Sequence, residues 1–227
     1  MGGNSKKRAV TAGSLAGIAL AAGVTWAPAG GAVAGAATGP AVDATHLTAK
    51  CDTVSAKIKF DGGLHAFGSG GGAGKLTIKG ENCTTSNPAT GGPGNVAIIA
   101  VLLKGPITFS SVSCSAITDK TEVLNVPSLT AKFKTAPGTA KLTQKESIVT
   151  GMVLSSSVDA NGNPTFGPPP PGIDPTAVES GPFEGIDGGA STQFTLGNSS
   201  FLTNKEKCDS PGGLKTISMG DGSVFIG

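Results

Sequence analysis

Tyrosine is absent from this chain, and tryptophan and arginine occur once each, as Trp26 and Arg8. Histidine occurs twice, as His46 and His65. These gaps exclude whole classes of function. Sequence-tolerant nucleic-acid binding draws on a basic excess and on aromatic faces that stack bases. Carbohydrate modules lean on an aromatic platform, and beyond Trp26 phenylalanine is the only aromatic residue here. A serine hydrolase would have to recruit His65, and the chain has no Gly-x-Ser-x-Gly elbow to present a nucleophile. Cys-x-x-Cys pairs are missing too, which argues against a zinc site.

The N-terminus carries a basic cluster, Lys6, Lys7 and Arg8, and no further charge before Asp43. Leu15 to Val24 is the most apolar part of that gap, and small residues follow, including Ala32-Val-Ala34 and Ala34-Gly-Ala36. This is the layout of a secretory signal peptide over residues 1–36, cleaved after Ala36 or Ala34. A membrane span needs about 20 strongly apolar residues. This run is Ala- and Gly-rich and is followed by Pro28, so no stable span is expected after processing. Lys7-Arg8 is not a twin arginine, which favours the general secretory route, and Lys50 before Cys51 does not fit a lipoprotein site. Cleavage removes three positive groups and takes the formal charge from +2 to −1. Trp26 and Arg8 are lost with it. About 190 residues remain, enough for one sizeable core.

Four cysteines lie in the exported part: Cys51, Cys83, Cys114 and Cys208. An even count in an exported chain reads as a disulfide framework. Four cysteines allow three pairings. Cys51–Cys83 with Cys114–Cys208 is preferred, because the first pair brackets a hairpin. Val54, Ala56, Ile58 and Phe60 alternate with Ser55, Lys57 and Lys59, and Leu76 and Ile78 alternate with Lys75, Thr77 and Lys79. Period two marks strands with one buried face, and the outward lysines are expected to keep exposed strands from pairing edge to edge.

Further strands are predicted at Val96–Leu103, at Ile107–Ser113 after a break at Gly105-Pro106, and around Leu129–Phe133. Another lies within 139–155, with Ile148, Thr150, Met152 and Leu154 on one side. Gln193–Thr203, Leu214–Ser218 and Ser223–Ile226 complete the set. No window shows a helical period. Short strands between Gly, Pro and Asn-Gly turns predict an all-β fold, an antiparallel β-sandwich or a barrel-like variant, stapled by disulfides. The expected organisation is a flexible leader over 37–50 and a single β domain over 51–227. Residues 159–189 form a Pro- and Gly-rich acidic loop outside the core.

Two motif-like stretches fail on inspection. Gly68-Ser-Gly-Gly-Gly-Ala-Gly-Lys75 has Ser69 where a phosphate loop needs its first Gly, and Leu76 where it needs Ser or Thr. Asp159-Ala-Asn-Gly-Asn163 opens like a calcium loop, but Pro164 and Pro170 occupy the positions of the required Gly and Glu. No cofactor, metal or catalytic residue is assigned.

Cys51 leads into Ser55-Ala-Lys-Ile-Lys-Phe60, Lys75-Leu-Thr-Ile-Lys-Gly80 precedes Cys83-Thr84, and Ser113-Cys114-Ser115 follows. In this order the chain resembles a group of uncharacterised secreted proteins of high-GC Gram-positive bacteria, over residues 47–150. The resemblance implies export and the cysteine layout, and no activity. The sequence therefore predicts a secreted or cell-envelope-associated, non-catalytic β protein. Its role would be structural or interactive, with an envelope component as partner and nucleic acid excluded. The alternatives are a carrier of an apolar ligand in a β cavity and a hydrolase of unknown type.

Overall fold

The computed structural model describes residues 47–226, except 69, 88–91, 94–95, 120, 143, 159, 161–163, 168–176, 182, 184–189 and 196–199. The segment expected to be a signal peptide, most of the expected leader and the calcium-loop-like stretch around Asn161 lie outside the described residues.

The described chain is all-β and antiparallel. Its strands are β1 (Thr48–Leu64), β2 (Gly72–Asn87), β3 (Gly92–Pro93), β4 (Ile98–Phe109), β5 (Val123–Thr135), β6 (Glu146–Val158), β7 (Pro164–Gly167), β8 (Ala177–Ser180), β9 (Ala190–Thr195) and β10 (Leu214–Ile226). Among the described residues helix is confined to α1 (Cys114–Thr118), α2 (Ser200–Thr203) and a 3-10 turn at Lys205–Asp209. The strands pair in the order β1-β10-β9-β7-β6-β5-β4-β2, and β2 pairs back to β1. The ladder thus closes on itself, giving the barrel-like variant rather than two stacked sheets. β3 and β8 hang from β2 and β6.

Closure explains the alternation. An eight-stranded ring leaves an interior that side chains from every wall can fill. Val54, Ala56, Ile58 and Phe60 point inward from β1 and meet Leu76 and Ile78 of β2, Val101, Leu103 and Ile107 of β4, and Ile217 and Met219 of β10. The rings of Phe60 and Phe109 meet edge to face, with centroids 5.2 Å apart. Ile78, Leu103, Leu129, Ala131 and Ile217 have no measurable accessible surface. A void large enough for water would leave such surface on its lining, so the wall around these residues is packed solid.

Both disulfides form as expected, Cys51–Cys83 across β1 and β2 and Cys114–Cys208 between α1 and the 3-10 turn. The start of α1 is fixed locally: Ser113 Oγ accepts the Ala116 N–H at 3.2 Å, a side-chain N-cap.

Several sequence expectations are corrected. The first strand starts at Thr48 with Ala49 buried, so the leader ends earlier than residue 50. Gly105-Pro106 does not end a strand, because β4 runs through it to Phe109. The proline's missing donor falls where the β4–β5 ladder is already interrupted, between Lys104 and Thr108. In β6 the inward residues are Ser147 and Val149, then Met152 and Leu154. Gly151 has φ +71°, and this kink switches the parity, so Ile148 and Thr150 leave the core face. Residues 200–203 are helix α2 rather than strand, and 214–226 is one strand rather than two.

The acidic 159–189 segment is not wholly a loop outside the core. It contributes β7 and β8, and Phe166, Val178 and Phe183 are buried. The Phe183 ring lies against Phe133, centroids 4.6 Å apart. Pro164 is tolerated because it is the first residue of its strand.

Candidate interaction face

The period-two pattern that sends apolar residues inward sends lysines outward on β1, β2, β4 and β5. Register decides how they meet. In one row across the wall, Ser55 faces Lys79, Lys79 faces Leu102, and Leu102 faces Lys132. In the next, Lys57 faces Thr77, Thr77 faces Lys104, and Lys104 faces Thr130. In a third, Lys59 stands directly opposite Lys75, and in a fourth Glu81 faces Ala100 and Ala100 faces Lys134. Neighbouring strands lie about 4.8 Å apart and alternate residues of a strand about 6.7 Å apart. Seven lysines therefore share a patch four strands wide, roughly 15 Å across.

Among the described residues the ion pairs are Lys132–Glu146 and Lys50–Asp52. Lys57, Lys59, Lys75, Lys79, Lys104 and Lys134 have no carboxylate partner there. The expected role in edge protection does not hold. Each strand carrying them is paired on both sides, β1 to β2 and β10, β2 to β1 and β4, β4 to β2 and β5, β5 to β4 and β6. Like charges directly opposite each other, as at Lys59 and Lys75, are unfavourable, on the order of 0.2–1 kcal/mol.

Two shallow depressions mark the same wall. One, of about 320 Å³, has Ala100 and Leu102 as its floor and Lys79, Glu81, Lys132 and Lys134 around it. The other, of about 300 Å³, lies between Lys75 and Lys104 over Gly105 and Pro106. Next to the wall, a groove of about 340 Å³ is bordered by Asp52, Glu81, Asp221 and Lys79. Among the described residues no group of His, Cys, Asp and Glu is placed to hold a metal ion.

A second feature lies at the end of β1. His65 bridges Ser113, with its N–H donating to Val112 O at 3.0 Å and its carbonyl accepting from Cys114 N at 2.6 Å. Only the backbone is engaged. The imidazole faces the Gly213 backbone, where a Cβ would lie 3.1 Å from Cε1 and Nε2. Ser113 Oγ is committed to Ser111 Oγ (2.8 Å), Ser115 Oγ (3.2 Å) and the α1 cap. Among the described residues no hydrogen bond joins the His65 ring to a serine or a carboxylate, so the set a hydrolase requires is not assembled around it.

Glu122 is a buried carboxyl that sequence reasoning passed over. Its Oε1 accepts from Ser110 N at 2.9 Å and Ser110 Oγ at 3.2 Å, while Oε2 is buried with no partner. Burial holds its pKa above the usual carboxylate value, against the lowering effect of the Ser111 and Ser110 hydrogen bonds. Among the described residues Phe67 is the exposed large apolar side chain, beside a groove bordered by Ala66, the Cys114–Cys208 bridge and Lys205.

All four cysteines singled out in the sequence are half-cystines in the structure. Gly68 to Lys75 leads into strand β2, not a helix, so no helix N-terminus is offered to a phosphate. No helix among the described residues is long and apolar enough to cross a membrane. No family model, no curated protein and no solved structure matches the chain.

Proposed function

We propose that this is an exported, non-catalytic β-barrel protein that acts as an interaction module at the cell envelope, with the lysine wall of β1, β2, β4 and β5 as its contact surface. One observation carries the reading. Lysines without carboxylate partners are gathered on the outer face of fully paired strands, where edge protection does not call for them and where Lys59 stands directly opposite Lys75. Two disulfides fit an oxidising compartment, and the basic, apolar and small-residue layout of residues 1–36 fits a secretory signal.

Fractionation of cells that export the protein tests this. The processed form, beginning at Ala37 or Gly35, is expected in the envelope fraction at low salt and in the soluble fraction at high salt, because exposed charge contacts are screened. In-cell crosslinking at the lysine wall should capture an envelope component. Release into the medium at every salt concentration, with no crosslinked product, would overturn the proposal.

A further inference from the structure

From the surface around Phe67, we infer a site for a second copy of this chain. Two molecules pack about a twofold axis, each seating its Phe67 in the other's groove and pairing its Lys205 with the other's Asp209. The inference goes beyond the lysine wall and does not depend on it.

The exposed ring comes first. Phe67 is 85% exposed, the large apolar side chain left in water among the described residues. A single exposed apolar residue is ordinary. This one is held out by fixed backbone. The preceding Ala66 donates its N–H to the Cys208 carbonyl at 3.0 Å, and its own carbonyl accepts the Ser115 N–H at 3.3 Å. Further along, the Gly70 carbonyl accepts the Val112 N–H at 3.2 Å. The ring is therefore presented from a loop tied to α1, to the 3-10 turn and to the segment after β4. Binding that takes up this ring loses little to ordering the loop.

The receiving surface lies beside it. A groove of about 260 Å³ is bounded by α1 and the 3-10 turn, next to the Cys114–Cys208 bridge, with Ala66, Thr118, Lys205 and Asp209 on its margins. Knob and groove thus share one patch. A partner of another kind would use only one of them. A twofold contact needs both on the same surface, because each molecule gives and receives. Exposed Gly68, Gly70 and Gly71 follow the ring and carry no side chain to hold a second backbone away.

Charge supplies the register. In a 3-10 turn residues three apart eclipse, so Lys205 and Asp209, four apart, are splayed by about a third of a turn and roughly 8 Å along the axis. Both are exposed, and among the described residues neither makes an ion pair. A twofold axis across the turn lays it antiparallel to its copy, so Lys205 of each molecule meets Asp209 of the other. The dimer pairs the opposite charges that one molecule keeps apart. A contact built on one ring and one groove from each side belongs with the small, transient interfaces, so association is expected at high protein concentration.

Sedimentation equilibrium of the exported, disulfide-bonded protein, from micromolar to millimolar concentration, tests this. The wild type should pass from monomer to dimer. F67A should weaken dimerisation at least about tenfold, since each dimer loses two buried rings. K205D and D209K should each weaken it severalfold, because each sets like charges opposite one another twice. Mixed in equal amounts, K205D and D209K should form a heterodimer tighter than either variant's own dimer, because every charge then meets its opposite. The control E206Q, on the same turn but off the groove margin, should associate as the wild type does. All variants should melt as the wild type does, since these side chains are exposed. A wild type that stays monomeric up to millimolar concentration would overturn the inference, as would wild-type dimerisation by F67A. A mixture that associates no more tightly than its components would overturn the twofold pairing of Lys205 with Asp209.

Discussion

Removing the two disulfides one at a time should give unequal losses. The bridges span 32 residues (Cys51–Cys83) and 94 residues (Cys114–Cys208). If a bridge acts by restricting the unfolded chain, the loop-entropy relation assigns about 3.7 kcal/mol to the first and about 4.7 kcal/mol to the second. The fold widens the gap. Cys51 and Cys83 face each other in a register continued on both sides, from Thr48↔Ser86 to Phe60↔Gly74, so the hairpin stays in place without the bond. Cys114 and Cys208 join α1 to the 3-10 turn, outside the main ladder, where few other contacts hold them; the Ala66 N–H to Cys208 carbonyl bond, 3.0 Å, is one. C114A/C208A should therefore lower the unfolding free energy by about 4–5 kcal/mol and C51A/C83A by about 3–4 kcal/mol. Both should steepen the denaturant dependence, because the unfolded state becomes more open. Guanidinium titration followed by far-ultraviolet circular dichroism measures this. If C51A/C83A cost as much as C114A/C208A, or neither changed the slope, the loop argument would be refuted.

Other substitutions probe other parts of the account. Burial raises the folded-state pKa of Glu122 above the usual carboxylate value, so between that value and the folded pKa the native state binds more protons than the unfolded. Stability should fall as pH rises through that window, and E122Q should flatten this part of the profile; parallel melting curves for the two proteins would contradict the burial argument. Phe183 is fully buried against Phe133, so F183A should cost about 3–5 kcal/mol by chemical denaturation, and a loss under about 0.5 kcal/mol would return the segment to the surface. Gly151 has positive φ and open space around it, so G151A should cost only about 1–2 kcal/mol of backbone strain. G105A should cost more, because its Cβ would overlap the Ser128 carbonyl; the reverse order would place the β4–β5 contact wrongly.

Val54, Ala56, Ile58 and Phe60 were legible because a closed wall has one wet side and one dry side, and an unbroken strand keeps its parity. Where a single residue breaks parity, the pattern misleads. Gly151 moved Ile148 and Thr150 off the core face, and no periodicity announces such a kink. Pro106 read as a break because a missing donor normally ends a ladder; β4 absorbs it at an interruption that only the β4–β5 register reveals. Phe183 and Val178 carry no period, since they enter the core from short strands and turns whose direction the sequence does not state. The lysine wall was half visible. Alternation placed Lys57, Lys59, Lys75 and Lys79 outward, but their adjacency depends on cross-strand register and their puzzle on ring closure. Without those two facts, edge protection was the ordinary explanation. His65 was visible as a candidate, and only the fold shows its ring turned to the Gly213 backbone.

The most direct test is a titration of the isotopically labelled, disulfide-bonded protein with solubilised cell-envelope material, read by backbone amide chemical shifts. The account predicts that the shifts concentrate at Lys57, Lys59, Lys75, Thr77, Lys79, Lys104 and Thr130, with the inward amides of Ile58, Ile78 and Leu103 moving less than their outward neighbours. Shifts clustered instead around Ala66, Phe67 and Lys205, or spread through the barrel interior, would contradict it.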